Sequence, residues 1–216
     1  MSLNIKYLGH SCFLLDDGKY KLLTDPYLSG NPLAPVRAYE VTADMILVSH
    51  AHHDHLGDSI YIAESCNASI CCPADLKELF DKKRLNVIAG NIGGRVKTPF
   101  GSVKYFQAQH GCVACGFIID IGGKRVYFAG DTALMSDMAL LADEGIGLAL
   151  LPIGDHYTMG PEDALRAVKM IRPALTVPMH YNTFPPIAQD AGAFVSEVAA
   201  AGFEAVHLRP GESMNI

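Results

Sequence analysis

Four short apolar runs that each end in a histidine or an aspartate constrain the fold of this 216-residue chain more than any other feature. Residues 45–49 lead to His50, residues 103–109 to His110, residues 126–130 to Asp131, and residues 175–179 to His180. Apolar, β-branched runs of this length are typical of buried strands. Strands also hold the side chains at their ends more rigidly than loops do. We therefore expect several strands to deliver polar side chains to one sheet edge.

Helical segments alternate with short apolar runs along the chain, which predicts strands covered by helices on their outer faces. Further strands are predicted at residues 4–8, 12–15, 20–23, 69–72, 87–89, 117–121, 125–129 and 149–151, and helices at residues 58–66, 73–80, 135–143, 161–171 and 188–201. Asp58 is expected to cap its helix, and Pro73 and Pro161 to occupy first-turn positions. No repeat or linker is visible, so residues 1–216 predict one domain.

Charge and composition argue against several classes of partner. The net charge of −6 comes from 23 acidic against 17 basic residues, without a basic run that could track nucleic acid. The N-terminal residues lack the basic flank and apolar run of a secretory signal, and no apolar run is long enough to span a membrane. We expect a cytoplasmic protein with reduced cysteines that acts on a small molecule. A symmetric homo-oligomer is compatible with a chain of this size.

The segment of residues 49–58 concentrates four histidines and two aspartates directly after a predicted strand. In extended backbone, His50 and His52 point their side chains the same way and can bind one metal ion. Asp54 and His55 lie where the chain turns and can reach a second ion beside the first. The alternative is a solvated, histidine-rich loop. Metal binding is the better interpretation, because His110, Asp131 and His180 follow strands elsewhere in the chain.

These residues resemble the metallo-β-lactamase superfamily across nearly the whole chain. Within it, the chain is similar to uncharacterised metal-dependent hydrolases related to ascorbate-6-phosphate lactonase, on the motifs Gly9-His10-Ser11, Thr24-Asp25-Pro26, Ala129-Gly130-Asp131-Thr132, Leu151-Pro152-Ile153-Gly154-Asp155, Thr158-Met159-Gly160-Pro161-Glu162-Asp163 and Pro178-Met179-His180-Tyr181-Asn182-Thr183. The resemblance implies an α/β fold, the four-layer αββα sandwich. It also implies that His50, His52 and His110 hold one ion, that Asp54, His55 and His180 hold a second, and that Asp131 bridges them.

Two divalent ions would supply a hydroxide at neutral pH by lowering the pKa of water to about 7. The expected function is hydrolysis of a small ester-type substrate, a phosphodiester or a lactone, with Asp54 orienting the hydroxide. His10 and His156 are candidates for binding substrate or for protonating the leaving group, because the resemblance places their loops near the site. We expect zinc, although histidine and carboxylate ligands also suit manganese and iron.

Two other classes of function stay open at this point. One is an iron-dependent oxidoreductase of the persulfide-oxidising type, which shares the fold. Di-iron oxidoreductases also share it, but they usually have a carboxylate where His52 stands, which favours hydrolysis here. The other is a non-catalytic metal-binding module, in which ligands are typically lost, whereas all seven are present here. Bound iron with oxygen uptake would separate the oxidoreductase from the hydrolase.

The surroundings of the predicted ligands include one further aspartate and two loops. Asp25 either accepts a hydrogen bond from a ligating histidine or is only a turn residue before Pro26. The loops at residues 27–42 and 155–161 are expected to shape the substrate pocket.

The remaining cysteines and histidines are not among the seven predicted ligands. Cys112 and Cys115 are interpreted as reduced cysteines at the site rim, with a redox pair as the alternative. A core position is predicted for Cys66, Cys71 and Cys72, an exposed one for His53, and a structural one on a late strand for His207.

Overall fold

The structure is a computed structural model that describes residues 2–216. Seven strands form the first sheet, in the order β13-β1-β2-β3-β4-β5-β6. They are β1 (Asn4–Tyr7), β2 (Phe13–Asp16), β3 (Lys21–Thr24), β4 (Met45–Leu47), β5 (Ser69–Pro73), β6 (Val87–Gly90) and β13 (Ser213–Asn215). The meander β1 to β3 is antiparallel, whereas β3 to β6 run parallel.

Six strands form the second sheet, in the order β12-β11-β10-β9-β8-β7. They are β7 (Arg95–Thr98), β8 (Gly101–Gln107), β9 (Cys115–Ile121), β10 (Lys124–Phe128), β11 (Leu148–Pro152) and β12 (Leu175–Met179). The first four are antiparallel, and β10, β11 and β12 are parallel. Each sheet therefore has a set of parallel strands whose carboxyl ends lie at one edge.

Alternating side chains of the first sheet pack into two different apolar layers, as the period of a strand requires. On β4, Met45 and Leu47 point toward the second sheet and share a cluster with Phe117 and Phe128. Ile46 points the other way, into a cluster with residues of the outer helices. The four predicted layers, two sheets between two layers of helices, are thus confirmed.

The helices cover the outer faces of the sheets. They are α1 (His53–Leu56), α2 (Ser59–Cys66), α3 (Lys77–Asp81), α4 (Pro161–Ile171) and α5 (Ala191–Ala200), together with 3-10 helices at Ala38–Glu40, Ala74–Leu76, Ser136–Glu144 and Pro185–Ile187. Helix α4 begins with Pro161 and buries Ala164, Ala167, Val168 and Ile171 at helical spacing. Asp190 caps α5 by accepting a hydrogen bond from the Ala193 N–H, at 3.0 Å.

The structure corrects three predictions about individual residues. Asp58 precedes α2 but does not cap it, because its Oδ2 accepts hydrogen bonds from the backbone N–H groups of Leu28 and Ser29 instead. Pro73 ends β5 rather than opening a helix. His207 is exposed and lies outside the strands, so it has no structural role on a late strand.

Two edge strands, β7 and β13, were not predicted from the sequence. Their residues alternate between exposed and half-buried, and neither carries the apolar pattern on which strand prediction depends. Residues 2–216 contain no helix with the length and apolarity needed to cross a membrane.

Candidate metal centre

The predicted ligands meet at the edge where the parallel strands of both sheets end. Asp25 directly follows β3, and His50 follows β4. Asp131 and His180 follow β10 and β12 in the second sheet. Sites at the carboxyl ends of parallel strands are common in layered α/β proteins, because loops diverge there and leave space between them.

Three imidazole nitrogens converge on the first candidate metal position. His52 Nδ1 lies 3.0 Å from His50 Nε2 and 3.1 Å from His110 Nε2. One ring nitrogen carries either one proton or one lone pair, so His52 Nδ1 cannot be a full hydrogen-bond partner for both neighbours. Nitrogens that crowd together in this way are suited to binding one cation.

The second candidate position lies between Asp54, His55 and His180. Asp54 Oδ2 is 3.9 Å from His55 Nε2 and 3.9 Å from His180 Nε2. His55 and His180 are buried, whereas the Asp54 side chain is 25 % exposed and faces the cavity above the site. One carboxylate and two imidazoles form a ligand set that suits several divalent ions.

Asp131 lies between the two sets. Its Oδ2 is 3.2 Å from His180 Nε2, 3.6 Å from His110 Nε2 and 3.9 Å from His50 Nε2. Its Oδ1 is 3.2 Å from His55 Nε2. Within the described residues, His55 Nε2, His180 Nε2 and Asp131 Oδ1 are buried and make no hydrogen bond of normal geometry, although two of their contacts are only 3.2 Å long. Such orphaned atoms are costly unless a cation binds them, so these residues fit a metal centre.

Burial and mutual charge set the protonation of these groups. Burial, and next His55, lower the pKa of His50 to about 2. Burial alone would raise the pKa of Asp131, but His55 and His180 outweigh it and hold that pKa well below its usual range. The result is neutral His50 beside ionised Asp131, the protonation states in which imidazole and carboxylate bind metals.

A buried hydrogen-bond chain fixes the ring orientation of two candidate ligands. His55 Nδ1 donates to Asp25 Oδ2 at 2.7 Å. His50 Nδ1 is 2.9 Å from Ser49 Oγ, which donates to the same carboxylate oxygen at 2.5 Å. His50 therefore carries its proton on Nδ1 and keeps the Nε2 lone pair for the site, while His55 directs its Nδ1–H at Asp25 and its Nε2 at the site. Burial alone would lower the pKa of His55, but Asp131 and Asp25 hold it well above its usual range, so a bound metal ion would displace the proton on Nε2. Of the two interpretations of Asp25, the hydrogen-bonding one is confirmed.

His10 has a supporting position rather than a substrate-facing one. It is fully buried, and its Nε2 donates to Asp54 Oδ2 at 3.1 Å while Nδ1 accepts from the Thr183 hydroxyl at 2.8 Å. Burial lowers the pKa of His10 to about 4, although the Asp54 hydrogen bond raises it. The expectation that His10 contacts substrate or protonates a leaving group does not fit this geometry, because both nitrogens already have partners.

Backbone conformation at the site is restricted. His10 and His180 both adopt left-handed φ values, 56° each, and the His180 N–H donates to the His10 carbonyl at 2.8 Å. A Cβ at Gly154 would lie 2.3 Å from the His180 carbonyl oxygen, so only glycine fits beside that residue. Non-glycine residues in this region of φ carry strain and are frequent at functional sites.

A cavity of about 360 Å³ opens above the candidate ligands. It is lined by His52, His53, Asp54, His110, Asp131, Tyr157, His180 and Phe184. Tyr157 lies in the 155–161 loop, so this loop contributes to the cavity, as predicted. Residues 27–42 do not line the cavity; Tyr27 packs behind it, with ring centroids 5.5 Å from His53 and 6.3 Å from Phe184. His53 is exposed, as expected.

His156 does not line this cavity. It is exposed and lies in a neighbouring depression that shares His110 and Tyr157 with the site. Its ring stands edge-on to Tyr157, with 4.5 Å between the centroids. The predicted contact of His156 with substrate therefore lacks support from its position.

The cysteines divide into exposed and buried positions. Cys112 is exposed at the rim, as predicted. Burial raises the pKa of its thiol, and Asp131 raises it further. Cys115, also expected at the rim, is instead buried in the core between the sheets, because it is the first residue of β9. Cys71 and Cys72 are core residues as predicted, whereas Cys66, for which a core position was also predicted, is half-buried at the end of α2.

Ser49, Thr183 and Phe184 also belong to the site, although no role for them is predicted from the sequence. Ser49 links His50 to Asp25, Thr183 fixes His10, and Phe184 forms one wall of the cavity. The positions of Ser49 beside His50, and of Thr183 near His180, were the available signals. Neither signal identifies a partner that lies far away in the chain.

Comparison with known proteins gives consistent results. Residues 4–180 match the family model described as a beta-lactamase superfamily domain. The chain is 44% identical over 223 residues to a UPF0173 metal-dependent hydrolase of Thermus thermophilus, covering 99% of both chains. It is 46% identical over 224 residues to a UPF0173 metal-dependent hydrolase of Symbiobacterium thermophilum, covering 99% of this chain and 100% of that one.

A solved structure shows the same likeness. The structure described as a novel metallo hydrolase from the hyperthermophilic archaeon Ignicoccus hospitalis superposes with a TM-score of 0.94 at 35% identity. The match covers 100% of this chain and 99% of that one.

Proposed function

The chain belongs to the β-lactamase superfamily, and from this membership we propose that it is a metal-dependent hydrolase with two divalent ions. Its 44–46% identical relatives are named metal-dependent hydrolases. The observation that carries the proposal is the position of Asp131 between the two ligand sets, with Oδ2 3.2 Å from His180 Nε2 of one set and 3.6 Å from His110 Nε2 of the other.

In this proposal, His50, His52 and His110 hold one ion, and Asp54, His55 and His180 hold the other. Asp131 is shared between them. Bound divalent ions supply Lewis acidity, which polarises a substrate oxygen and lowers the pKa of water to about 7. Zinc is the proposed metal, and manganese or iron would be compatible with the same ligand types.

Three residues of the chain hold the reacting groups and the ligands in position. Asp54 is the candidate catalytic residue, because its carboxylate is partly exposed to the cavity and can accept a hydrogen bond from the attacking water. His10 is a positioning residue that holds Asp54 Oδ2 through its Nε2. Asp25 acts similarly on His55 directly and on His50 through Ser49, keeping the Nε2 atom of each ring directed at the site.

The cavity favours a small, weakly charged ester. Tyr157 and Phe184 form apolar walls, and no lysine or arginine is among the cavity-lining residues in the described part of the chain. Apart from bound metal ions, phosphate recognition usually relies on such cations or on backbone N–H groups. We therefore propose a carboxylic ester or lactone as the first substrate class, and a phosphodiester as the second.

The proposal is tested by activity of metal-loaded protein. Apoprotein reloaded with zinc, manganese or iron is screened against lactones, carboxylic esters, thioesters, phosphodiesters and phosphomonoesters. We expect hydrolysis of a lactone or ester, and a loss of roughly 100-fold or more in kcat for Asp54→Asn, the range associated with general-base groups. Asp163→Asn, an exposed change on α4, is the matched control and keeps full activity.

Two results would contradict the proposal. Equal turnover by Asp54→Asn and wild-type protein would remove Asp54 from the reaction. Iron-dependent oxygen uptake without hydrolysis of any ester would instead favour the oxidoreductase of the same fold.

A further inference from the structure

A fourth potential ligand lies beside the three-histidine set. The sulfur of Cys112 and one ligand nitrogen each from His50, His52 and His110 all lie within 4.8 Å of one another. Of the six cysteines, Cys112 is the exposed one; four are buried and Cys66 is half-buried. Cys112 is therefore the thiol that can reach both solvent and the candidate metal position.

The loop that carries Cys112 is anchored to the strand end that carries His50. Ala114 forms a β-bridge with His50, and the Cys115 N–H donates to the Ser49 carbonyl at 3.1 Å. His110 and Cys112 thus enter the site from one short segment that is fixed at its far end. Because Cys115 is buried in the core, it is poorly placed to form a redox pair with Cys112.

A second observation indicates that this position binds a cation. His50 is fully buried, and among residues 2–216 its Nε2 has only the crowded nitrogen of His52 as a hydrogen-bond partner. Asp131, which is 3 % exposed, directs Oδ2 toward His110 and His50, and its Oδ1 has no hydrogen-bond partner in the described residues. Buried lone pairs with one sulfur beside them match the ligand types that zinc prefers.

We propose that Cys112 supplies a thiolate ligand to the ion held by His50, His52 and His110. The proposal rests on the metal centre of the proposed function and adds a sulfur to it. On binding, the S–H proton is released to solvent as the sulfur–metal bond forms. Thiolate is a soft ligand that favours zinc over manganese, so Cys112 biases this position toward zinc.

The test uses cobalt as a spectroscopic substitute for zinc in the full-length protein. Cobalt-loaded wild-type protein should show a thiolate-to-cobalt charge-transfer band in the near ultraviolet. Cys112→Ser should lose that band but keep the visible bands of bound cobalt. Cys66→Ser is the matched control and should keep both. Competition between zinc and manganese should show that Cys112→Ser lowers the zinc preference of one site by about 10-fold.

The outcomes separate this proposal from the one on which it rests. Visible cobalt bands without a charge-transfer band in the wild type would overturn the thiolate ligand and leave the metal centre standing. Absence of any cobalt, zinc or manganese binding would overturn both. A charge-transfer band that survives in Cys112→Ser would assign the sulfur to another cysteine and refute the role of Cys112.

Discussion

Asp25 provides a sharp test of how the fold prepares its metal ligands. Its buried carboxylate accepts three hydrogen bonds, from the Ser49 N–H at 2.7 Å, the Ser49 hydroxyl at 2.5 Å and His55 Nδ1 at 2.7 Å. In Asp25→Asn, an amide N–H₂ replaces one acceptor oxygen. If that amide faces His55, the ring must accept at Nδ1 and carry its proton on Nε2. The lone pair that would bind metal is then lost.

The expected magnitudes follow from these bonds. Losing a partner that orients a ligand costs about 10–100-fold in metal affinity, which corresponds to about 1.4–2.8 kcal/mol. Asp25→Ala leaves three buried donors without an acceptor, at about 1–3 kcal/mol each. Some of this cost is recovered by relaxation, so we expect a loss of about 3–5 kcal/mol in the free energy of unfolding. Asn tolerates the positive φ of residue 25, 30°, better than most residues do.

Two measurements separate these effects. Chelator competition gives the zinc affinity of each variant, and urea unfolding of the apoprotein gives its stability. Asp44→Asn serves as the control, because Asp44 is exposed and accepts from the Lys21 N–H at the surface. Wild-type zinc affinity in folded Asp25→Asn would refute the claim that Asp25 sets the protonation of His55 and His50.

Three further predictions concern packing, charge and metal removal. Gly130→Ala should destabilise the protein by about 2 kcal/mol or more in urea unfolding and weaken metal binding. The φ of Gly130 is +60°, and a Cβ at this position would lie 2.9 Å from Ser49 Cβ and 3.0 Å from the Cys115 carbonyl oxygen. Asp120→Asn should cost about 1 kcal/mol at pH 7. Partial burial opposes ionisation of Asp120, but hydrogen bonds, of which that from Arg125 is the strongest, lower its pKa. The stability that Asp120 contributes is therefore present above the unfolded pKa of about 4 and is lost as the pH falls through the lower folded pKa. Urea unfolding should show the difference in stability between Asp120→Asn and wild type shrinking toward pH 3. When a metal is present at 1,000-fold above its dissociation constant, chelating it should lower the free energy of unfolding by about 4 kcal/mol per site and Tm by roughly 8–16 °C in calorimetry. An unchanged Tm would argue against metal binding to the native state.

Strands and candidate ligands were predictable because their signals are local. The apolar runs before His50, Asp131 and His180 became β4, β10 and β12, each ending within three residues of the polar side chain. Helix α4 matches its predicted bounds, since proline at its start and apolar residues at helical spacing both mark it.

Partners far apart in the chain were not predictable. Asp58 has the sequence position of a helix cap, yet its carboxylate binds backbone N–H groups 29 and 30 residues earlier in the chain. Thr183 contacts His10 across 173 residues. A sequence pattern shows which residue types precede a helix or follow a strand, but only tertiary packing decides which donor reaches which acceptor. Edge strand β13 was missed for the same reason, because pairing with β1 defines it.

Anomalous diffraction from crystals of zinc-loaded protein tests the central claim most directly. Two peaks should flank the Asp131 carboxylate, one enclosed by His50, His52 and His110, and the other by Asp54, His55 and His180. A single peak, or two peaks that do not share Asp131, would contradict a dinuclear centre built at the ends of these strands.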